Sequence, residues 1–236
     1  MRNQFPWNAI VAEGVGVFLF FLVGIGAGYM TSSAFPGGAV PGGLVTVALA
    51  HGLALAVVAS AFGAISGGHV NPAVTWALWL SGKIETRRAL AYIIAQLIGA
   101  VAAAAVVRYV TPAAIPASAG VPALGAGTDG IQGIVLEAGL TMVLLAAVFG
   151  TAVDPRAPKI GGIAIGVAVG ADIMFGGPLT GGAMNPARWF GPAVVAGDVS
   201  NAAIYILGPV IGATIIAIIY RYLFLPEANA QTGANV

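Results

Sequence analysis

The chain has 236 residues, 59% of them hydrophobic and only 7% charged, with a mean hydropathy of +0.97. No soluble core of this size conceals that much apolar surface, so the composition calls for a membrane as solvent and leaves no room for a large soluble domain. A net charge of +1, with nine scattered Lys and Arg, removes nucleic acid as a partner, and the lack of cysteine excludes disulfides and thiolate metal sites.

The first residues, Met1-Arg2-Asn3-Gln4-Phe5-Pro6-Trp7, run into an apolar stretch with no small-residue cleavage site, so the start reads as a first span and not as a cleaved signal. Crossing about 30 Å of hydrocarbon takes roughly 20 apolar residues. Apolar windows at residues 9–30, 44–65, 89–110, 131–153, 160–175 and 202–224 make six such spans. They are separated by turn-rich stretches such as Phe35-Pro36-Gly37-Gly38 and residues 111–130. Small-xxx-small pairs recur inside them: Gly24 with Gly28, Gly63 with Gly67, Gly162 with Gly166 and Gly170, and Gly208 with Gly212. Such pairs let helix backbones approach closely in a compact bundle. Trp7, Trp79, Tyr109, Trp189 and Tyr222 fall near span ends, where interfacial aromatic belts form. If six spans alternate, Arg2, Lys83, Arg87, Arg88, Arg156, Lys159 and Arg221 share one side and Arg108 and Arg188 the other. The positive-inside rule then puts both termini in the cytoplasm.

The two halves repeat. Ser66-Gly67-Gly68-His69-Val70-Asn71-Pro72-Ala73 matches Thr180-Gly181-Gly182-Ala183-Met184-Asn185-Pro186-Ala187. The stretch from Ala95 to Ala100 parallels that from Gly208 to Ala213, and Glu13 parallels Glu137. We read one domain, 1–236, with repeat one at about 5–110 and repeat two at about 131–225. Three spans per copy make the second copy enter from the opposite side, an inverted repeat about an axis in the membrane plane.

After each Asn-Pro-Ala comes an apolar segment too short to span, residues 74–80 and 189–196. Ten helical residues cover only about 15 Å, so these are expected to be re-entrant half-helices. The Gly-rich stretch before each motif is non-helical backbone, tolerated at membrane depth only where it lines a cavity or is buried in protein. Asparagine is placed to cap each half-helix and proline to occupy its first turn. If both begin near the midplane, their positive dipole ends converge there. The fold class is therefore all-α: six transmembrane helices plus two re-entrant half-helices. Glu13 and Glu137 are intramembrane carboxylates, read as structural acceptors for the backbone of the re-entrant loops and not as proton relays.

At these residues the sequence resembles the major intrinsic proteins, the aquaporins and their glycerol-conducting relatives, over essentially its whole length. The stretches Ala50-His51-Gly52, Gly170-Ala171-Asp172-Ile173 and Met184 to Val195 are most similar to the plant tonoplast intrinsic proteins. The resemblance implies a homotetramer with a pore in each subunit, membrane lipid as surroundings, no cofactor and no enzymatic activity. It implies a passive channel for water and small neutral solutes, with ammonia and urea as further permeants and with protons and ions excluded. A glycerol or urea facilitator of the same family is the nearest alternative, though Trp189 after the arginine and His51 count against glycerol; a coupled transporter is the next. The vacuolar membrane is implied for a plant and the cell membrane for a prokaryote.

Carried over from the family, the aromatic/arginine constriction falls on His51, Ile173, Gly182 and Arg188. Arg188 is expected to supply fixed positive charge and N–H donors, and His51 a polar edge that acidification would charge, lowering ammonia flux. Asn71 and Asn185, with Pro72, Ala73, Pro186 and Ala187, form the mid-pore motifs, each asparagine presenting an N–H to the permeant. The carbonyls of Gly67, Gly68, His69, Gly181, Gly182 and Ala183 are the expected acceptor ladder. The sequence leaves Asp172 between the outer mouth and a neighbouring helix.

Overall fold

The computed structural model describes residues 6–36, 42–158, 160 and 162–225. Arg2, Lys159, Gly37 and Gly38 lie outside the described residues. Among the described residues eight α-helices follow in chain order: α1 (Trp7–Met30), α2 (Gly43–Ser66), α3 (Pro72–Leu80), α4 (Thr86–Val110), α5 (Gly130–Val148), α6 (Ile163–Thr180), α7 (Pro186–Ala196) and α8 (Ala202–Ile219). Single π turns extend α5 and α8 (Phe149–Val153 and Tyr220–Phe224), and a 3-10 turn, Ala117–Gly120, interrupts the long connection before α5. Six of these helices are long and apolar enough to cross a membrane, while α3 and α7 are not.

Helix is the form these segments must take, because hydrocarbon offers no partner for a free N–H or C=O. Both faces of these helices are apolar, and the buried face mixes large side chains with small ones. On α1, Val11, Val15, Leu19 and Val23 face outward, and Ala12, Gly16, Phe20 and Gly24 are buried. The small ones mark the seams between helices. A Cβ on Gly166 would collide with the carbonyl of Gly52, and one on Gly162 would lie 2.5 Å from the carbonyl of Ala56, so α2 and α6 meet backbone to backbone. The same device joins α1 to α4 at Gly99 and Gly14, and α5 to α8 at Gly212 and Ala138. Gly63 differs: it faces open space and belongs to no seam.

The half-helices are exchanged between the repeats. α7 of the second half packs on α4 of the first, with a Cβ on Gly191 coming within 2.5 Å of the Ala100 carbonyl, and α3 packs on α8, where Trp76 Nε1 donates to Thr214 Oγ1 at 3.0 Å. Each copy thus closes the other. α6 runs on through Pro178 to Thr180, past the apolar window that ends at residue 175: Pro178 forfeits one N–H bond to the preceding turn without ending the helix, and Gly181 ends it with a left-handed φ of 82°. Trp189 is buried and stacked on Tyr205, with ring centroids 5.9 Å apart, so it does not belong to an interfacial belt: the half-helix that carries it lies inside the bundle. Trp7, Tyr109 and Tyr222 are exposed near helix ends.

Lys83 and Arg88 line the same end of the bundle as Ala152 and Val153. Arg156 Nη2 donates to the Phe224 carbonyl at 2.7 Å and Arg221 Nη1 to that of Leu80, which gathers these cations at one end.

Candidate permeation site

Asn71 and Asn185 begin the two half-helices in the same way. Each has extended backbone, its Oδ1 accepts from the N–H two residues on (Ala73 at 2.8 Å, Ala187 at 3.0 Å), and proline fills the first turn. Capping occupies only the oxygen. Asn71 Nδ2 donates to the Met184 carbonyl and Asn185 Nδ2 to the Val70 carbonyl, both at 3.0 Å. The half-helices therefore meet tip to tip, cross-latched through the residue before each asparagine. An amide carries two N–H donors; one is spent on the latch, and the other belongs to a side chain that lines the central cavity.

The latch fixes Val70 and Met184 at positive φ, 41° and 54°. A β-branched residue rarely adopts that conformation, which costs on the order of 1–3 kcal/mol. It persists because both neighbours of the strained bond are held. Glu13 Oε1 accepts from Ser66 Oγ at 2.6 Å and His69 N at 2.9 Å, and Oε2 accepts from Val70 N and Gln96 Nε2, both at 2.7 Å. Glu137 Oε1 accepts from Thr180 Oγ1 at 2.7 Å and Ala183 N at 2.9 Å, and Oε2 from Met184 N at 2.7 Å. Tyr92 and Tyr205 close the opposite side of each loop by donating to the carbonyls of Ser66 and Thr180, at 2.8 and 2.7 Å. Tyr92, Tyr205, Val70, Met184 and Gln96 are positioning residues that sequence reasoning missed. The tyrosines sit at one offset in the two repeats, and that symmetry was the signal available.

The cavity between the halves encloses about 360 Å³. One wall is the backbone of the re-entrant loops, Gly67, Gly68, His69 and Val70 from one side and Gly182, Ala183 and Met184 from the other. The facing wall is apolar, with Phe20, Leu55, Leu144, Val148, Ile165 and Val169. Gly181 lies apart from these, beside a second, outer cavity of about 310 Å³. Among the described residues only Ile173 and Arg188 line both cavities, so the boundary between the two falls at those two side chains. His51 and Gly182 line the inner cavity beside them. A Cβ on Gly182 would stand 3.3 Å from the Ile173 backbone, so glycine keeps this point open.

Arg188 is buried and held at two atoms: Nε donates to His51 Nε2 at 2.8 Å and Nη1 to the Gly120 carbonyl at 2.7 Å. A guanidinium carries five N–H donors, so three remain for whatever enters. His51 has no polar atom to spare. Its Nδ1 lies 2.9 Å from the Val47 carbonyl and can only donate there, which leaves Nε2 as the acceptor that Arg188 occupies. The acid-sensing edge expected of this histidine therefore has no free atom to receive a proton, and its ring lines the inner cavity as a wall. Gly24 makes room for it, since a Cβ there would lie 2.5 Å from Nε2.

His69 also lines the cavity, braced by Nδ1 against Thr75 Oγ1 at 3.1 Å and edge-on to Tyr92. Asp172 is absent from both cavities. It faces a lateral crevice between α5 and α6, where its Oδ2 is buried without a hydrogen-bond partner among the described residues. Among the described residues no group of three His, Cys, Asp or Glu could hold a metal.

The family model for the major intrinsic proteins matches residues 1–220. The chain is 44% identical over 231 residues to a probable aquaporin TIP3-2 of Arabidopsis thaliana, covering 94% of this chain and 85% of that one. It is 42% identical over 229 residues to aquaporin TIP4-4 of Zea mays, with 95% and 89% covered. Among solved structures, the aquaglyceroporin from Plasmodium falciparum superposes with a TM-score of 0.75 at 21% identity, covering 93% of this chain and 97% of that one. At that identity the likeness shows the fold alone.

Proposed function

Because this chain belongs to the major intrinsic protein family, we propose that it is a passive channel that conducts water and ammonia and excludes protons and ions. The observation that carries the reading is the cross-latched pair Asn71 and Asn185 at the middle of a cavity whose outer boundary is formed by Arg188 and Ile173. A single file of water would run along the loop carbonyls with an apolar wall opposite, so each molecule bonds on one side only. At the centre, the remaining N–H of each asparagine and the positive ends of α3 and α7 turn the water oxygen inward. A proton wire needs every molecule to donate in one direction, and two opposed donors break that order. Pore width, lining donors and half-helix dipoles then act together to select the permeant.

The outer boundary favours small neutral solutes. Ile173 offers an ammonium ion nothing in place of its hydration, and the guanidinium of Arg188 repels it. Ammonia loses less on entering. The relatives' names support water as a permeant; ammonia rests on the boundary residues alone. The homotetramer, and the placement of both termini in the cytoplasm, are proposed on the family resemblance and on the cations gathered at one end.

The test is stopped-flow light scattering on reconstituted vesicles, with an internal pH dye for ammonia. Water and ammonia rates above those of empty vesicles, with no proton current under a potential, are expected. Rates equal to those of empty vesicles for both solutes would remove the proposal.

A further inference from the structure

Arg188 has two anchors, and the one that is not a side chain is the carbonyl of Gly120 in the 3-10 turn Ala117–Gly120. The backbone bonds of that turn, among them Ala119 N to the Pro116 carbonyl and Val121 N to that of Ser118, tie it only to itself and its flanks. Tyr29, in the last turn of α1 and fully buried, ties it to the bundle: its hydroxyl donates to the Ala117 carbonyl at 2.8 Å. The same ring is the floor under Gly120, where a Cβ would stand 2.8 Å from Tyr29 Cε2 and 2.7 Å from Ile25 Cγ2. Gly28 completes the seat, since a Cβ there would come within 3.3 Å of the Ala119 carbonyl. The turn is thus clamped between α1 and α7.

We propose that Tyr29 is a positioning residue for Arg188: by seating the turn it sets where the Gly120 carbonyl stands, and so fixes the guanidinium that limits solute size at the outer boundary. Tyr29 touches no permeant and lines neither cavity. Its effect passes through two hydrogen bonds in series, Tyr29 to Ala117 and Gly120 to Arg188. Without the first, the turn loses its hydrogen bond to α1 and is free to lift from that helix; the guanidinium then keeps only its bond to His51 and can pivot about Nε. A pivoting guanidinium still passes water, which is small, but no longer holds one width against a larger solute.

The inference rests on the channel reading above, and the experiment separates the two. Water and urea permeability are measured on vesicles of equal protein content for the wild type, Tyr29→Phe, Gly120→Ala and Tyr220→Phe. The last is the control, because its hydroxyl also donates to a backbone carbonyl, that of Ala146 at 3.3 Å, but at the opposite end of the bundle. The urea-to-water ratio is expected to rise about fivefold in Tyr29→Phe, the population change that one net hydrogen bond sets, and to rise also in Gly120→Ala, where the added methyl pushes the turn off its seat. It stays at the wild-type value in Tyr220→Phe. The ratio is independent of how much protein folds, and Gly120→Ala carries the test if Tyr29→Phe does not assemble. A wild-type ratio in Tyr29→Phe and Gly120→Ala overturns the positioning role while the wild-type channel still conducts, and an equal rise in Tyr220→Phe overturns it as a general loosening. A wild type that passes neither solute overturns the channel reading itself.

Discussion

Arg188 and His51 depend on each other at the outer boundary, and their hydrogen bonds make separate predictions. Arg188→Val removes the donors and the positive charge while keeping bulk near Ile173. Urea permeability should rise roughly tenfold, the effect of about 1.4 kcal/mol off the barrier, and an unchanged solute profile in stopped-flow assays would show that the filter lies elsewhere. His51 predicts an absence of gating. With Nδ1 donating to Val47 and Nε2 accepting from Arg188, ammonia flux divided by the concentration of neutral ammonia should be constant between pH 8 and 6, read with the internal dye; a steep fall on acidification would mean that the ring leaves Arg188 and takes up a proton. The two buried glutamates are not equivalent either. Glu13 accepts from four donors and Glu137 from three, since Gln96 has no counterpart at Pro209. An amide can turn its oxygen to only one set, so each Gln variant leaves a backbone N–H facing an NH2 group, at about 1–3 kcal/mol. Glu13→Gln is expected to lower the melting temperature more than Glu137→Gln, and the reverse order would show that the extra donor is not engaged.

Between elements, backbone proximity replaces the hydrophobic contrast that holds a soluble bundle together, because lipid is as apolar as the core. Gly166 and Gly212 sit where a side chain would strike the opposing carbonyl. Overpacking of this kind costs about 1–3 kcal/mol, so Gly166→Val and Gly212→Val should each lower the melting temperature by several degrees in detergent. Gly63 lies in the same sequence pattern but faces open space, and Gly63→Ala is expected to leave stability unchanged or raise it by about 0.5–1 kcal/mol, the helix preference for alanine. A comparable loss at all three positions would remove the seam argument. The loop after α5 adds a pH statement. Asp154 is held down to about 2 by the hydrogen bonds it accepts from the side chain and backbone of Arg156. A folded value below the ordinary carboxylate range means that the contact is fully present above about pH 4 and is lost only as pH falls toward 2. The Asp154 carboxyl carbon should therefore show little titration in an NMR series from pH 6 to 3.5, where an ordinary aspartate would pass its midpoint at about 3.9.

For the whole molecule, composition and hydropathy identify the solvent and the spans, and the repeated Ser/Thr-Gly-Gly and Asn-Pro-Ala blocks identify the inverted repeat. These are local properties: an apolar window of span length takes helical form in hydrocarbon, and a proline after an asparagine suits the capped first turn of a helix. The constriction set His51, Ile173, Gly182 and Arg188 came from the family resemblance, at fixed offsets from the Asn-Pro-Ala motifs, whereas the apolar wall of Phe20, Leu55, Leu144, Val148, Ile165 and Val169 was not read from the sequence. Nor were the hydrogen-bond partners. That Asn71 reaches Met184, that Arg188 is shared by His51 and Gly120, and that Asp172 turns into a crevice away from the channel depend on chain separations of up to 137 residues. Trp189 shows the difference in a single side chain, reading as interfacial by its place in the sequence and buried by the exchange of half-helices between repeats. Which segments enter the membrane, and roughly where each starts and stops, can be read from the chain alone, because those choices follow from the free energy of one segment in lipid. The pairing of each donor with its acceptor came only with the packed bundle, because a hydrogen bond is worth something only at about 3 Å, and no pattern along one stretch of chain fixes that distance to another.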